Sequence, residues 1–280
     1  MLIVTRHTTR LNEIGVSESI GFMLIFAIVI AGIGLVTLYG YPLLLQQQLG
    51  ADVKIMEKNM IVLQNDIKSL AYKTVPFKET SLKIGGGSLT VYNSSYSPSS
   101  FNVTIRDSGT TYVNSFKSGE LRYESISAQT DISLQNGAVA MRPRINPGSV
   151  MLSEPRWFYD ANTKTIVINL INITSNNIMA KEGIGTVQMT LGQTNYTYVP
   201  NINPIVIVYT PPLGLNGLDY SVAWDTYIRK TFANQPGFTL SNPTGTTPGS
   251  GSPLTYKLTQ VGSTSMKLVI KKYEVQIKSI

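Results

Sequence analysis

The feature that most limits how this chain can fold is a run of 33 residues without a charged side chain, from Ser19 to Ala51. Within this run, the 26 residues Ile20–Leu45 are almost entirely apolar. As an α-helix they would be about 39 Å long, whereas the hydrocarbon core of a bilayer is about 30 Å thick. A helix of this length in a soluble core would be expected to carry a polar stripe. The sequence therefore predicts a membrane-spanning helix near the N-terminus.

The residues around this apolar segment predict its orientation in the membrane and whether it is removed from the mature protein. Arg6 and Arg10 precede it, and basic residues favour the cytoplasmic side, so the remainder of the chain is expected outside the cell. The apolar region of a secretory signal is only about 7–15 residues long and ends at a cleavage site of small residues. This segment is longer, and Tyr41-Pro42-Leu43 is no such site. We therefore expect the helix to remain in the mature protein.

The residues at the entry to the apolar segment, Asn12–Phe22, read NEIGVSESIGF. This segment resembles the class III signal peptide of archaeal type IV pilin-like proteins. The resemblance implies that a prepilin peptidase cuts after Gly15 on the cytoplasmic side, which would make residues 1–15 a leader and Val16 the mature N-terminus. More weakly, the long helix, the following Thr74–Thr80 segment and the glycine-rich stretch after it resemble a group of uncharacterised archaeal pilin-like proteins.

Four residues of the helix are candidates for a role in assembly. The pilin resemblance implies that Glu18 pairs with the new N-terminal ammonium of its own chain or of a neighbour. A carboxylate in the first turn also interacts favourably with the helix dipole, and both interpretations stay open. Ala27 and Ala31 form a small-xxx-small pair that permits close helix approach. Pro42 removes a backbone hydrogen bond and is expected to kink or open the helix locally.

A second helical pattern follows the apolar segment. Apolar residues occur with alternating spacings of four and three, which predicts a helix with one apolar stripe. The stripe has two candidate partners: the protein's own β domain, which pilin-like folds favour, and a bundle of neighbouring helices. We therefore assign residues 16–72 to a transmembrane and juxtamembrane helix. The residues of the stripe are Leu49, Val53, Met56, Met60, Leu63, Ile67 and Leu70.

From about Thr80 the apolar pattern changes to a period of two, which indicates strands. Gly85–Gly87, between two such segments, predicts a hairpin turn, and Gly192-Gln193 predicts another turn. Residues 223–231 suggest a short helix, and residues 240–253 an exposed loop. The predicted fold class is α+β: a long N-terminal helix followed by an antiparallel β-sandwich that occupies residues 73–280 as an extracellular domain. The hairpin strands are predicted at residues 81–84 and 88–92, and further strands at residues 101–106, 121–126, 156–159, 165–173, 185–191, 194–199, 205–209, 254–258 and 267–277.

The composition excludes several kinds of chemistry. The chain has no Cys and a single His, His7, so Cys-ligated metal sites, thiol nucleophiles and His-dependent triads in the body are ruled out. Asp160, Asp219 and Asp225 could in principle form a glycosidase pair, but their spacing gives no indication of one. We predict no catalytic residues, no cofactor and no metal. The net charge of +7 comes without a long basic run or a nucleic-acid-binding motif, so we predict no nucleic-acid partner.

Four Asn-x-Ser/Thr sequons agree with an extracellular domain, although a chain this rich in Asn, Ser and Thr contains several by chance. These candidate N-glycosylation sites are Asn93, Asn102, Asn172 and Asn195.

The expected function is structural. We predict a pilin-like cell-surface protein, a main or minor subunit of a type IV-like filament, with the membrane, a prepilin peptidase and other pilin-like subunits of the same or a different kind as partners. The alternative is a membrane-anchored extracellular binding module, an adhesin or an envelope receptor, that does not polymerise. The predicted location is a single-pass membrane position with a cytoplasmic N-terminus, or a surface filament.

Overall fold

A computed structural model describes residues 13–95, 101–145, 148–212, 218–262 and 265–280. The chain divides into two compact units, Met1–Leu49 and Gly50–Ile280. Of the predicted leader, residues 1–12 lie outside the described residues.

The described residues of the first unit are helical, and the last helix of this unit extends into the second unit. Helix α1 comprises Glu13–Leu35, a π-helical turn follows at Val36–Gly40, and helix α2 comprises Tyr41–Lys73. A third helix, α3, spans Ser221–Phe232 and contains the predicted short helix.

The second unit is built mainly from two sheets. The nine-stranded sheet has the order β7-β6-β5-β4-β1-β10-β14-β9-β8, and the five-stranded sheet has the order β12-β13-β11-β2-β3. The strands are β1 (Phe77–Tyr92), β2 (Phe101–Arg106), β3 (Thr111–Ser118), β4 (Glu120–Ser125), β5 (Thr130–Gln135), β6 (Ala138–Pro143), β7 (Val150–Ser153), β8 (Trp157–Asp160), β9 (Thr165–Ser175), β10 (Met179–Ile202), β11 (Ile205–Tyr209), β12 (Phe238–Ser241), β13 (Leu254–Gln260) and β14 (Met266–Ser279).

The predicted α+β class, a long apolar N-terminal helix followed by a large β domain, is confirmed. The expectation of an antiparallel body is wrong at one place, because β14 pairs with β9 in parallel over Lys267–Ile277. Parallel neighbours need a long crossover connection. Here the chain between β9 and β14 runs through β10 and then through the second sheet and α3, so it returns beside β9 in the same direction.

Two hydrophobic clusters lie on opposite faces of the nine-stranded sheet, because side chains alternate between faces along each strand. In β14, Leu268 and Ile270 belong to a cluster that includes the five-stranded sheet and α3, whereas Val275 and Ile277 belong to a cluster that includes α2. The large sheet is therefore covered by the smaller sheet on one face and by α2 on the other.

Both predicted glycine turns are wrong, because the structure has bulges inside long strands at these positions. Gly85–Gly87 lie within β1, where the pairing register with β10 shifts between Ile84 and Leu89. Gly192 lies within β10, where the register with β14 shifts between Leu191 and Thr194. A glycine in a strand pattern marks a bulge or a close backbone approach as readily as a turn.

Candidate assembly surface on the apolar helix

The segment from α1 into the start of α2 exposes its apolar side chains on all sides. Every large apolar residue from Ile20 to Leu45 is exposed to solvent in the isolated chain. Within the described residues, one helical stretch, Glu18–Lys73, is long and apolar enough to cross a membrane, and none of its most apolar window is buried. We call Ile20–Leu45 the apolar segment. A surface of this kind needs lipid or other apolar helices around it.

The backbone of the apolar segment opens just before Pro42. The N–H of Tyr41 bonds to the carbonyl of Val36, five residues earlier, which is the hydrogen bond of a π-helical turn. Pro42 has no N–H to offer to a carbonyl in the preceding turn, and its ring would clash with the carbonyl four residues before it. The wider turn at Val36–Gly40 is the local opening that the sequence predicts at this proline.

The other predicted assembly and processing residues lie along α1. Gly15 and Val16 belong to its first turns, and Glu18 follows with an exposed side chain. Ala27 and Ala31 are exposed and one helical turn apart, so they lie on the same side of the helix. The role of each of these residues in processing or assembly stays a prediction.

The stripe of α2 is buried against the protein's own sheet, the first of the two partners considered. Met56, Met60, Leu63, Ile67 and Leu70 are completely inaccessible to solvent. They share a cluster with apolar residues of β1, β4, β5, β9, β10 and β14. Fully burying one such side chain contributes about 1.5–3 kcal/mol, so the stripe fixes this half of α2 firmly to the sheet.

One buried residue of α2 that the sequence did not single out is Gln64, which sits inside this apolar contact. Its Nε2 donates to the carbonyls of Gly137, at 2.7 Å, and Glu154, at 3.1 Å. Its Oε1 accepts a hydrogen bond from the hydroxyl of Ser153. Gln64 therefore ties the helix to the β5–β6 turn and to the end of β7.

The glycine bulge of β1 provides a second point of close contact with α2. A Cβ on Gly85 would lie 2.4 Å from Oδ1 of Asp52, and a Cβ on Gly87 would lie 2.3 Å from the carbonyl oxygen of Glu124 in β4. The hydroxyl of Tyr123 donates to the carbonyl of Gly85 at 2.6 Å. The glycines are required because helix, bulge and neighbouring strand approach too closely for side chains.

The four sequons differ in how accessible their side chains are. Asn195, in β10, is exposed. The side-chain nitrogen of Asn93, the atom that would carry a glycan, donates to the carbonyl of Ser175 at 2.8 Å. Asn102 accepts a hydrogen bond from Ser115, and Asn172 is partly buried in β9. Asn195 is thus the sequon whose side chain is most open to modification.

The carboxylates considered as a hydrolytic pair each have a local structural partner. Asp160 accepts backbone N–H bonds within the β8–β9 turn. Asp219 accepts from the N–H of Ser221 at the start of α3. Asp225 accepts hydrogen bonds from Arg229 and from the hydroxyl of Tyr256, at 2.9 and 2.8 Å. Within the described ranges, no group of three or more His, Cys, Asp or Glu side chains could hold a metal ion.

A buried ionic network occupies β4 and β5 on the face opposite α2. Arg122 forms an ion pair with Glu120, and its guanidinium lies 4.4 Å from the ring centre of Tyr92. Arg144 pairs with Asp131 at 2.5 Å. Burial raises the pKa of Asp131, and its hydrogen bond and charge interaction with Arg144 oppose that rise. Opposite charges are matched in both pairs, as a structural network requires.

A family model described as a family of unknown function (DUF7289) matches residues 15–205. No curated protein and no solved structure matches the chain. The match begins at the residue that the pilin resemblance makes the last of the leader, and it covers α1, α2 and the strands as far as the start of β11.

Proposed function

The chain belongs to the DUF7289 family, and we propose that it is a pilin-like cell-surface protein that assembles through its apolar segment into a type IV-like filament, as a main or minor subunit. The observation that carries this proposal is a difference in side-chain burial between two parts of one helical stretch. The part up to Leu45 exposes apolar side chains on all sides, whereas the part from Met56 onward is fixed to the sheet by a buried stripe.

In this proposal the apolar segment first lies in the bilayer and later packs against sibling helices. Burial of about 1,000 Å² of apolar surface corresponds to roughly 25 kcal/mol by area, before the costs of ordering and association. Ala27 and Ala31 would allow two helices to approach closely, and Glu18 would pair with an ammonium group at the mature N-terminus. The two sheets would form a sandwich-like extracellular head, and no bond-making step is required of it.

The processing step is tested by mass spectrometry of the mature N-terminus, with the full chain expressed in an archaeal host that possesses a prepilin peptidase. The expected N-terminal residue is Val16, and Gly15→Leu should leave the leader attached. Gly21→Leu is the matched control, because a Cβ at Gly21 meets no atom within 4 Å. An intact Met1 in the wild-type protein, or a cut beyond Leu45, would overturn the proposal.

Assembly is tested by electron microscopy of sheared surface filaments, with identification of this chain by peptide mapping. Ala27→Leu together with Ala31→Leu should leave membrane insertion unchanged and abolish the incorporation of this chain into filaments. Ile28→Leu, an exposed and volume-conserving change, is the control. If Val16 is the N-terminus but the chain never enters a filament, the anchored binding module becomes the better interpretation.

A further inference from the structure

An uncovered patch lies on the α2 side of the nine-stranded sheet, beyond the end of that helix. We call it the tyrosine–lysine patch and define it by Tyr196 and Tyr198 of β10, Val269 and Lys271 of β14, Val167 of β9 and Phe158 of β8.

The pairing register places these side chains on one face. Tyr198 pairs with Val269, Val269 with Val167, and Val167 with Phe158, so one apolar row crosses four strands. Directly paired residues point to the same side of a sheet, and neighbouring strands are about 4.8 Å apart. The row is therefore about 14 Å wide. Tyr196 pairs with Lys271 in the adjacent row of the same face.

The patch continues the sheet face that α2 covers, but α2 ends before reaching it. Tyr72, in the last turn of α2, makes an edge contact with Tyr273, two residues along β14 from Lys271. Past that contact Tyr196 is 63% exposed, Tyr198 46% and Phe158 38%. In the described part of the chain, no element covers these rings.

The charge around the patch is predominantly positive. Lys271 is exposed, and Lys267 lies on the same face because it is four residues from Lys271 along β14. The guanidinium of Arg156 lies 6.0 Å from the ring centre of Phe158. The acidic group on this face is Asp160, which is occupied by N–H bonds within its own turn. Three cations therefore surround a flat aromatic row with one carboxylate at its margin.

We propose that the tyrosine–lysine patch binds an acidic polysaccharide. Sugar rings present C–H faces that stack on exposed aromatic rings, and the carboxylates of an acidic polymer would pair with the neighbouring Lys and Arg side chains. A flat face without a deep cavity suits an extended polymer better than a single small ligand. This inference is independent of filament assembly and holds equally for an anchored protein.

A second copy of the chain fits the patch less well. A second copy bound through the same face would bring Lys267, Lys271 and Arg156 of both chains together, and like charges oppose such a contact.

The test measures binding of the full chain, held in lipid nanodiscs, to polygalacturonate and to its fully methyl-esterified form. The two polymers share a sugar backbone and differ in charge, so the comparison isolates the contribution of the carboxylates. Binding should be at least about tenfold tighter to polygalacturonate and should weaken as NaCl is raised from about 0.05 M to about 0.5 M.

The variants separate stacking from charge. Tyr196→Ala combined with Tyr198→Ala should weaken binding about tenfold or more, because both rings are lost. Lys271→Glu should weaken binding to polygalacturonate and leave the neutral polymer unaffected. Phe77→Ala and Lys278→Gln are the controls, because both residues are exposed and Phe77 lies on the opposite face of the sheet. Circular dichroism of each variant verifies the fold.

Equal binding of the charged and neutral polymers, or unchanged binding by both patch variants, would overturn the proposal. Tighter binding to single-stranded DNA, to empty nanodiscs containing anionic lipid, or to a second copy of the chain would assign the patch to that partner instead.

Discussion

Replacement of Gln64 by methionine should destabilise the β domain strongly, although the volume and helix propensity of the side chain hardly change. The amide of Gln64 donates to the carbonyls of Gly137 and Glu154 and accepts from Ser153, in a contact that excludes solvent. A net hydrogen bond contributes about 0.5–1.5 kcal/mol, and a buried group left without a partner costs about 1–3 kcal/mol. We expect Gln64→Met to lower the free energy of unfolding by about 2–4 kcal/mol.

The assay is urea unfolding of the full chain in detergent, followed by tryptophan fluorescence. Trp157 and Trp224 are the two tryptophans of the chain, and both are buried in the core cluster between the sheets. Asn65→Met, on the adjacent exposed position of α2, is the matched control and should change the free energy of unfolding by less than about 0.5 kcal/mol. If Gln64→Met is as stable as Asn65→Met, the hydrogen bonds of Gln64 do not hold the helix on the sheet.

A second substitution at this position should make the free energy of unfolding depend on pH, in a direction that follows from burial of the new carboxylate. Gln64→Glu places a carboxylate opposite the carbonyls of Gly137 and Glu154, and desolvation raises the pKa of such a group in the folded state. The folded protein then binds a proton more readily than the unfolded chain. Relative to wild type, the variant should be most stable at low pH and should lose stability as the pH rises toward that raised pKa. Unfolding curves at several pH values measure this difference.

Three further outcomes are expected. Gly87→Ala should lower the free energy of unfolding by at least about 1–3 kcal/mol, measured in urea, because its Cβ would collide with a backbone carbonyl of β4. Hydrogen bonds from the hydroxyl of Tyr112 and from two backbone N–H groups lower the pKa of Asp107. The order that this carboxylate gives to the β2–β3 hairpin is therefore present at neutral pH and is lost as the pH falls through the lowered pKa. Asp107→Asn should reduce this acid-side loss of order, measured by hydrogen exchange of the hairpin amides. If the body is glycosylated, Asn195→Gln should remove more glycan mass than Asn93→Gln, measured by mass spectrometry of the intact protein.

Each of these outcomes has a matched control. Gly109→Ala meets no atom within 4 Å and should be nearly neutral. Ser108→Ala, in the same hairpin, should retain the acid-side loss of order. Thr197→Ser keeps the Asn195 sequon intact and should retain its glycan. A stable Gly87→Ala protein, an unchanged acid response in Asp107→Asn, or heavier glycosylation at Asn93 would contradict the corresponding argument.

The heptad spacing of α2 was sufficient to predict both the helix and its buried stripe. It was not sufficient to identify Gln64, which lies one helical turn after Met60 and so borders the stripe. Its hydrogen-bond acceptors, Gly137 and Glu154, are 73 and 90 residues away along the chain. A polar residue beside an apolar stripe becomes a buried anchor only when the tertiary fold brings such partners to it, and a local pattern carries no information about that.

The glycines account for one turn that was wrongly predicted and for one turn that was not predicted. Gly85–Gly87 suggested a turn, but the chain continues as one strand because α2 and β4 approach it closely. By contrast, Asn136-Gly137 is a strong hairpin signal for which no turn was predicted. Both residues have positive φ, 47° and 69°, and they connect β5 to β6, two strands that were not predicted. Strands β3, β7 and β12 were also missed, and β7 and β12 have only four residues each.

The position of β14 has a consequence for the order in which the body can form. This strand follows the other described strands along the chain, and it inserts between β10 and β9 in the interior of the large sheet. Until β14 is in place, the β8–β9 pair has no strand-pairing link to the rest of the large sheet, and the facing edges of β9 and β10 stay open. A chain in which β14 has not yet formed therefore presents two open strand edges inside its largest sheet, and open edges of this kind are sites for pairing with other chains.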